Sequence, residues 1–535
     1  MFFRFLLSIS GLFAAYTLLY LLNLIIQELR SPLRHVPGPK TSKLANFFYG
    51  QINDSDTAQT LRKRQQWVEQ YGPTLKYRGF LGFSRLYTQD TKAINHVLMH
   101  PYTYQKPEST RYNLSRIVGP GLLVVEADVH KQQRRVMNPA FGYPQVRELT
   151  PIFTQKGNEL RNIWAAQTGA SKTVRVDILA WLNKATLDII GLAGFNYDFN
   201  SLASENQSEL AEAFNMIFKS GVQGSPIRIL QTQLPAFRFI KTSLDRVMDN
   251  SQAVMKRIGS QLLQNSKNEI AHGGSSDSTR SRDLLSLLVR ANTSKDIPVH
   301  QRLTDEDVLA QVPTFLVAGH ETTSTATTWC LFALAQNKPA QTRLRNELLA
   351  MDTDEPSMDE LNALSYLECV VKESLRVYSP VPSTTRVATQ DDVVPLAKPF
   401  TDTQGNVHET LRVKKGQAVM IPIMALNHDK EIWGPDAAEF KPERWEQEKA
   451  ISNSIPGIWS HILSFSGGPR ACIGYRFSLV EMKALLFTLV RNFEFDLALA
   501  VAEIGSRSSV VQRPYLRSEP TKENQLPLLI KAYAA

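Results

Sequence analysis

Apolar positions along most of the chain recur every three or four residues, the spacing that gathers them on one face of a helix. Helices are predicted over 57–72, 177–195, 303–336, 366–379 and 477–490. Leu364, Leu367, Val371 and Leu375 form the apolar stripe of the fourth, and Thr304 with Asp307 offers a capping box at the start of the third. Alternation with period two is rarer and shorter. TLKYRGF and SRLYTQD, starting at Thr74 and Ser84, predict a hairpin, and VVPLAK, LRVKKG and PLLIKAY predict further strands. The stretch AHGGSSDSTRSR at 271–282 is small, polar and rich in glycine and serine. It reads as an exposed loop and not a domain border, because helical periodicity resumes directly after it. The pattern describes one mainly α body with a small β portion.

The N-terminus departs from this amphipathic pattern. Residues 5–26 carry no charged side chain. As a helix they span about 33 Å, enough to cross the hydrocarbon core of a bilayer. QELR follows where a signal peptide would have small residues and a cleavage site, so a retained anchor is predicted. Arg30, Arg34, Lys40 and Lys43 follow the span, against Arg4 alone before it. The excess of positive charge places the body in the cytosol, as a single-pass protein of the endoplasmic reticulum membrane. Pro32, Pro37 and Pro39 predict a stiff, extended connector. The expected organisation is an anchor at 1–30, a proline-rich hinge at 31–45 and one large domain at 46–535.

Charge and cysteine content narrow the picture. Lys plus Arg number 60 against 51 for Asp plus Glu, a net charge of +9 without a dense basic run. This argues against a nucleic-acid partner. The three cysteines, Cys330, Cys369 and Cys472, are far apart and form no C-x-x-C pair. A disulfide framework is not expected, in keeping with a reducing compartment.

Cys472 stands apart from the other two. Gly467, Gly468 and Pro469 precede it, Gly474 follows, and a predicted helix comes next. A thiolate there meets free backbone N–H groups and the positive end of a helix dipole, which lower its pKa. Small neighbours let a flat ligand approach the sulfur, and Arg470 offers a fixed charge to an anionic group. Upstream, Ala318-Gly319-His320-Glu321-Thr322-Thr323 sits inside the predicted long helix. Glycine and threonine are poor interior choices, and the hydroxyls compete for backbone carbonyls. The segment is either a packing notch or a groove with a hydroxyl and a carboxyl beside it. Glu373 and Arg376 share a helix face, either as a surface ion pair worth little or as part of a buried network.

The run FSGGPRACIG, from Phe465 to Gly474, resembles the haem-binding signature of the cytochrome P450 family, F-x-x-G-x-R-x-C-x-G, at every fixed position. Three further segments resemble the family in the same order: A-G-x-D/E-T-T/S at 318–323, E-x-x-R at Glu373 and Arg376, and P-E-R-F/W at 442–445. In EADVHKQQRRVMNPAF the family often has W-x-x-x-R; Arg134 fits the arginine, while His130 stands in the tryptophan position. An imidazole can also donate to a carboxylate. The resemblance implies a cytochrome P450 fold behind one N-terminal transmembrane helix, in an enzyme similar to microsomal fungal ones. It implies heme b with Cys472 as axial thiolate. Phe465 and Gly474 frame the cofactor, and Arg470, His130, Arg134 and Arg386 attend its propionates. It gives Thr322 to oxygen activation and Glu321 to proton relay, and makes Glu373, Arg376 and Arg444 a structural trio.

No flavin or nicotinamide fingerprint is present. Electrons are therefore expected from NADPH through NADPH–cytochrome P450 reductase, docking near Lys131, Arg135 and Lys483, with cytochrome b5 as a second donor. No cluster of like charge marks a charged substrate. An apolar or weakly polar small molecule entering from the bilayer is expected, a terpenoid, polyketide or alkaloid intermediate of secondary metabolism. Fatty-acid or xenobiotic hydroxylation is the alternative within the family. A haem-thiolate isomerase or dehydratase, or a non-enzymatic haem-binding protein, is the alternative from another class.

Overall fold

The computed structural model describes residues 11, 15–19, 22–23, 25–26, 28–40, 57–79, 82–169, 172–203, 209–210, 212–213, 216, 226–271, 283–294, 298, 301–446, 455–508 and 510–533. The helices that frame the site are α1 (Glu108–Val118), α2 (Ala127–Met137), α3 (Tyr143–Thr168), α4 (Ile178–Phe195), α5 (Gln311–Gln336), α6 (Ser365–Val377) and α7 (Tyr475–Asn492). The helix predicted over 303–336 is in two pieces, Asp305–Leu309 and α5, and the expected capping box of Thr304 and Asp307 starts the first.

Helix α5 is buried along nearly its whole length, including polar residues such as His320, Glu321 and Thr323. It lies along α4. Gly319 permits the approach, because a Cβ there would stand 2.8 Å from Ile190 Cδ1. Thr186 of α4 donates its hydroxyl to the His320 carbonyl at 3.2 Å. Helix α7 rests on α3, where Phe153 and Phe477 meet edge to face with centroids 4.8 Å apart. Among the described residues α4 alone is long and apolar enough to cross a membrane, but 72% of it is buried in protein, which makes it a core helix.

The β portion is small. Strands β1 (Thr74–Arg78), β2 (Ser84–Thr88), β3 (Tyr104–Gln105), β4 (Thr384–Ala388) and β5 (Ala418–Ile421) form a sheet in the order β1-β2-β5-β4-β3. The expected hairpin is β1–β2, with Thr74 opposite Thr88. Strands Asp392–Thr401 and Val407–Val413 pair with each other, and Pro527–Ala532 lies between Val174–Asp177 and Phe493–Leu497. A second hairpin joins β6 (Ile504–Ser508) to β7 (Gln512–Leu516).

Much of the predicted anchor lies outside the described residues. Its described positions are helical and turned outward, with Leu19 and Leu29 66% and 64% exposed. Glu28 ties its end to the β1–β2 hairpin through Arg78 at 2.5 Å and the Ser84 N–H at 2.9 Å. The connector is not extended throughout, as its prolines suggested. Pro32–His35 forms a single 3-10 turn capped by Ser31, with Pro32 at the start, where a missing N–H removes no helical hydrogen bond. Leu33 is fully buried and Lys76 N–H donates to the Pro37 carbonyl at 2.8 Å, so the connector is docked on the body. The glycine/serine stretch at 272–282 lies outside the described residues.

Candidate active site

The loop before α7 is folded by close backbone approaches. A Cβ on Gly467 would fall 1.8 Å from the Pro456 carbonyl, and Gly468, at φ +69°, would bring one to 2.5 Å from the Leu98 carbonyl. The Cys472 N–H donates to the Phe465 carbonyl at 2.9 Å, closing the turn beneath the thiol. Phe465 is buried against the rings of Trp459 and Tyr475. Gly474 caps α7, and a Cβ on it would lie 3.6 Å from the Phe141 ring. Arg134 donates Nη1 to the Ala471 carbonyl and Nε to Asn138 at 3.0 Å. The expectation of a thiol with lowered pKa is not met. Burial pushes the Cys472 thiol up, outweighing the Gly474 N–H and the Arg134 charge, which pull it down. Metal coordination would reverse that balance, since it deprotonates a thiol outright.

Cys472 is enclosed by protein and yet accessible. Two contacts fix what faces it. Phe141, beside Gly474, packs edge to face on Phe315 of α5 with centroids 5.5 Å apart. Ser478 of α7 meets the Thr323 hydroxyl of α5 at 3.1 Å. Between these contacts α5 is buried except for Ala318, which is exposed, and Gly319 and Thr322, which are partly so. Those three lie on one side of the helix, one turn apart. These contacts bring the thiol loop and this short open stripe of α5 next to each other. Thr322 donates its hydroxyl to the Ala318 carbonyl at 2.6 Å.

A cluster of cations lies beside the thiol loop. Arg470 donates to the Val125 carbonyl at 3.1 Å and pairs with Glu126, while Lys106 reaches the other Glu126 oxygen at 3.8 Å. Arg386, on β4, is buried and feels both Glu126 and Arg470; its burial pushes its pKa down to about 10. Burial, with Arg386 next to it, brings the Lys106 ammonium to about 7. Burial, with Arg470, Lys106 and Arg134 near, brings the His130 imidazole to about 3, so His130 is neutral and offers one N–H. Three basic side chains thus surround one carboxylate, and the buried Nε of Arg470 has no hydrogen-bond partner among the described residues. Arg134 joins this group at His130 and also rests against the thiol loop.

Glu321 is not an open carboxyl. Arg513 of β7 donates Nε and Nη2 to its Oε2 at 2.9 and 2.6 Å, and both side chains are buried. His320, also buried, carries a pKa lowered chiefly by that burial.

Glu373 and Arg376 are both fully buried and meet through two hydrogen bonds of 2.8 Å. Arg376 also donates to the carbonyls of Asn427, Ala437 and Glu439, and its guanidinium lies over the Trp433 ring. Arg444 reaches Glu373 at 3.3 Å and Asp436 at 2.9 Å, and the Trp445 indole donates to Glu373 at 3.0 Å. The surface-pair alternative is thereby removed.

Two sets of residues correct the sequence reading. Lys483, expected on an exposed docking face, is buried and paired with Glu368 at 2.7 Å, while Lys131 and Arg135 are exposed. Lys106, Glu126 and Arg513 were missed. Arg513 follows a run of small and apolar residues in RSSVVQR, a signal of a buried charge, but its partner lies 192 positions away.

The donor set fits a planar, dianionic, iron-bearing macrocycle: one accessible sulfur on a tight glycine-rich loop, a surplus of positive charge beside that loop, and a buried guanidinium N–H with no hydrogen-bond partner among the described residues. A sequence profile described as Cytochrome P450 matches residues 37–515. The chain belongs to the cytochrome P450 family. As a P450 it is an oxidoreductase of the monooxygenase class, built around haem held by a cysteine thiolate. Cytochrome P450 monooxygenase 205 of Postia placenta is 51% identical over 518 residues, 95% of each chain. Cytochrome P450 monooxygenase 128 of the same fungus is 48% identical over 523 residues, 96% of this chain and 95% of that one. Cytochrome P450 monooxygenase claQ of Ampulloclitocybe clavipes is 32% identical over 514 residues, 94% of each.

Proposed function

We propose that this P450 inserts one atom of O2 into a C–H or C=C bond of an apolar or weakly polar small molecule, with Cys472 as the thiolate ligand. The overall step for a C–H bond is R–H + O2 + two electrons + two protons giving R–OH + H2O. The observation that carries it is the accessible Cys472 thiol, on a loop that the Phe141–Phe315 and Thr323–Ser478 contacts join to α5 beside its Ala318–Gly319–Thr322 stripe. Haem, when bound, supplies the redox chemistry of oxygen activation, which a thiolate ligand favours by donating electron density. The chain's residues do the rest. Arg470, Arg386 and neutral His130, joined by Lys106, would hold the haem propionates. Arg134 braces the thiol loop through the Ala471 carbonyl, and Phe465 and Gly474 shape it. Thr322 and Glu321 supply protons at the stripe, and the buried walls of α5 and α7 exclude bulk water.

The two electrons come from NADPH through NADPH–cytochrome P450 reductase, which docks on the face carrying Lys131 and Arg135, with cytochrome b5 as an accessory donor. Residues 1–30 anchor the enzyme in the endoplasmic reticulum membrane, 31–45 orient it, and 46–535 form the cytosolic catalytic domain. The outward apolar side chains of the described anchor positions support this placement. Substrate drawn from the bilayer is a secondary-metabolite intermediate, in keeping with fungal P450 monooxygenases as relatives.

The test is co-expression of the full chain with reductase under 18O2, with unbiased metabolite comparison against Cys472→Ala. Products gaining one labelled atom only with intact Cys472 and NADPH are expected. Products that carry no label, or that persist without NADPH, would contradict the assignment.

A further inference from the structure

We propose that Arg513 is a positioning residue for oxygen activation, aiming the Glu321 carboxylate from the β6–β7 hairpin. The proposal rests on the reading that Glu321 supplies protons beside Thr322.

The motif around Glu321 says nothing about what holds its carboxyl. In the structure Arg513 grips a single oxygen, Oε2, with two N–H groups of one guanidinium edge, at 2.9 and 2.6 Å. The other oxygen, Oε1, accepts no hydrogen bond among the described residues. Side-chain exposure is 10% for Arg513 and 8% for Glu321, so water contributes little to holding either charge. At that depth an ion pair is weakly screened and its geometry is fixed by the elements that carry it. Those elements are themselves fastened together. The Trp329 indole of α5 donates to the Gln512 carbonyl at 3.0 Å, one residue before Arg513, and the Gln512 N–H donates to the Pro380 carbonyl at 2.8 Å. Arg513 is therefore held at a set distance from α5. Glu321 can turn only about the oxygen that Arg513 holds, with Oε1 left to accept and pass a proton. Thr322, the next residue, borders the open stripe.

Misplaced protons change what becomes of O2. Cleavage to water takes four electrons and four protons (O2 + 4 e− + 4 H+ → 2 H2O), whereas premature release takes two of each (O2 + 2 e− + 2 H+ → H2O2). The ratio of peroxide released to NADPH consumed reads this partition in the substrate-free holoenzyme, reconstituted with NADPH–cytochrome P450 reductase. A positioned proton donor is worth factors of 10²–10⁴ in general, so losing its aim should move the ratio of peroxide to water by on the order of tenfold.

The variants are Glu321→Gln, Arg513→Met, Arg513→Lys and the double Glu321→Gln/Arg513→Met. Glu321→Gln and Arg513→Met are expected to raise peroxide per NADPH alike. Arg513→Lys, which keeps charge but loses the fork, should fall between them and the unaltered enzyme, and the double variant should go no further than Glu321→Gln. Two readouts are independent of turnover. The melting temperature should drop in Arg513→Met and recover in the double variant, where no buried carboxylate is left unpaired. The infrared carboxylate band lost in Glu321→Gln should shift in Arg513→Met. If Arg513→Met does not retain haem, Arg513→Lys and the double variant carry the same comparison. A wild-type partition and an unshifted band in the Arg513 variants, with Glu321→Gln perturbed, would overturn this role of Arg513 alone. An unperturbed Glu321→Gln would overturn the proton-supply reading with it.

Discussion

Two buried glutamate–arginine pairs sit in different parts of the molecule, and they are built differently. Glu373 receives five hydrogen bonds: two from Arg376 and one each from Arg444, the Lys441 N–H and Trp445. Arg376 spends its remaining N–H groups on three backbone carbonyls. Every charge there is compensated and nothing is left to react, which is how a buried ion network becomes a lock. Among the described residues Glu321 has one side-chain partner, Arg513, on one oxygen, and the next residue, Thr322, lies on the open stripe. Saturation separates a structural carboxylate from one kept for chemistry, although both are buried and both face an arginine. Glu481 of α7 supplies a third case. It is fully buried and meets no cation among the described residues; burial holds its carboxyl well above the ordinary glutamate range, against a Thr323 hydroxyl that lowers it.

The sharpest way to break the comparison is Arg376→Met. It leaves Glu373 charged and buried with much of its compensation gone, and should cost about 3–5 kcal/mol. Urea unfolding of the holoenzyme and loss of haem absorbance would show it; a loss below that of Arg513→Met would reverse the proposed contrast. Arg444→Lys should cost less, about 1–3 kcal/mol. A lysine keeps the charge but cannot reach the Trp433 carbonyl, Asp436 and Glu373 together as Arg444 does.

Glu481→Gln should have no effect in acid, and its effect should grow with pH. The folded carboxyl keeps its proton to a higher pH than the unfolded one, whose value is near 4.5. The wild-type residue therefore subtracts stability as pH rises above 4.5, by at most about 1.4 kcal/mol per unit. The variant should match wild type in acid and become relatively more stable toward neutrality. Parallel stability curves across that range would mean that Glu481 is ionised in the fold.

The fold was legible wherever one periodicity ran long enough. α4, α6 and α7 and the β1–β2 hairpin follow directly from spacing, because each buries a single face or core run. The break at Ala310 was not legible, since the apolar pattern continues through it. At the site, local spacing places Glu373 on Arg376 and Gly468 beside Cys472. What spacing cannot supply is a partner brought in by tertiary contact: Arg513 for Glu321, Glu126 for Arg470, Glu368 for Lys483. Each pair is separated by more than a hundred residues, and only tertiary packing makes it local: α5 on the β6–β7 hairpin, the thiol loop on the start of α2, and α6 on α7. The thiol misled for a related reason. A helix start lowers a cysteine pKa in water, but here burial is the larger influence.

Everything turns on sulfur from Cys472 binding iron, and one spectrum tests it. The full-length holoenzyme, reduced and exposed to carbon monoxide, should show a Soret band displaced to the long wavelength of thiolate-ligated haem. Cys472→Ala should lack it. A folded, haem-loaded wild-type preparation whose carbon monoxide complex absorbs only where histidine-ligated haem does would contradict the account.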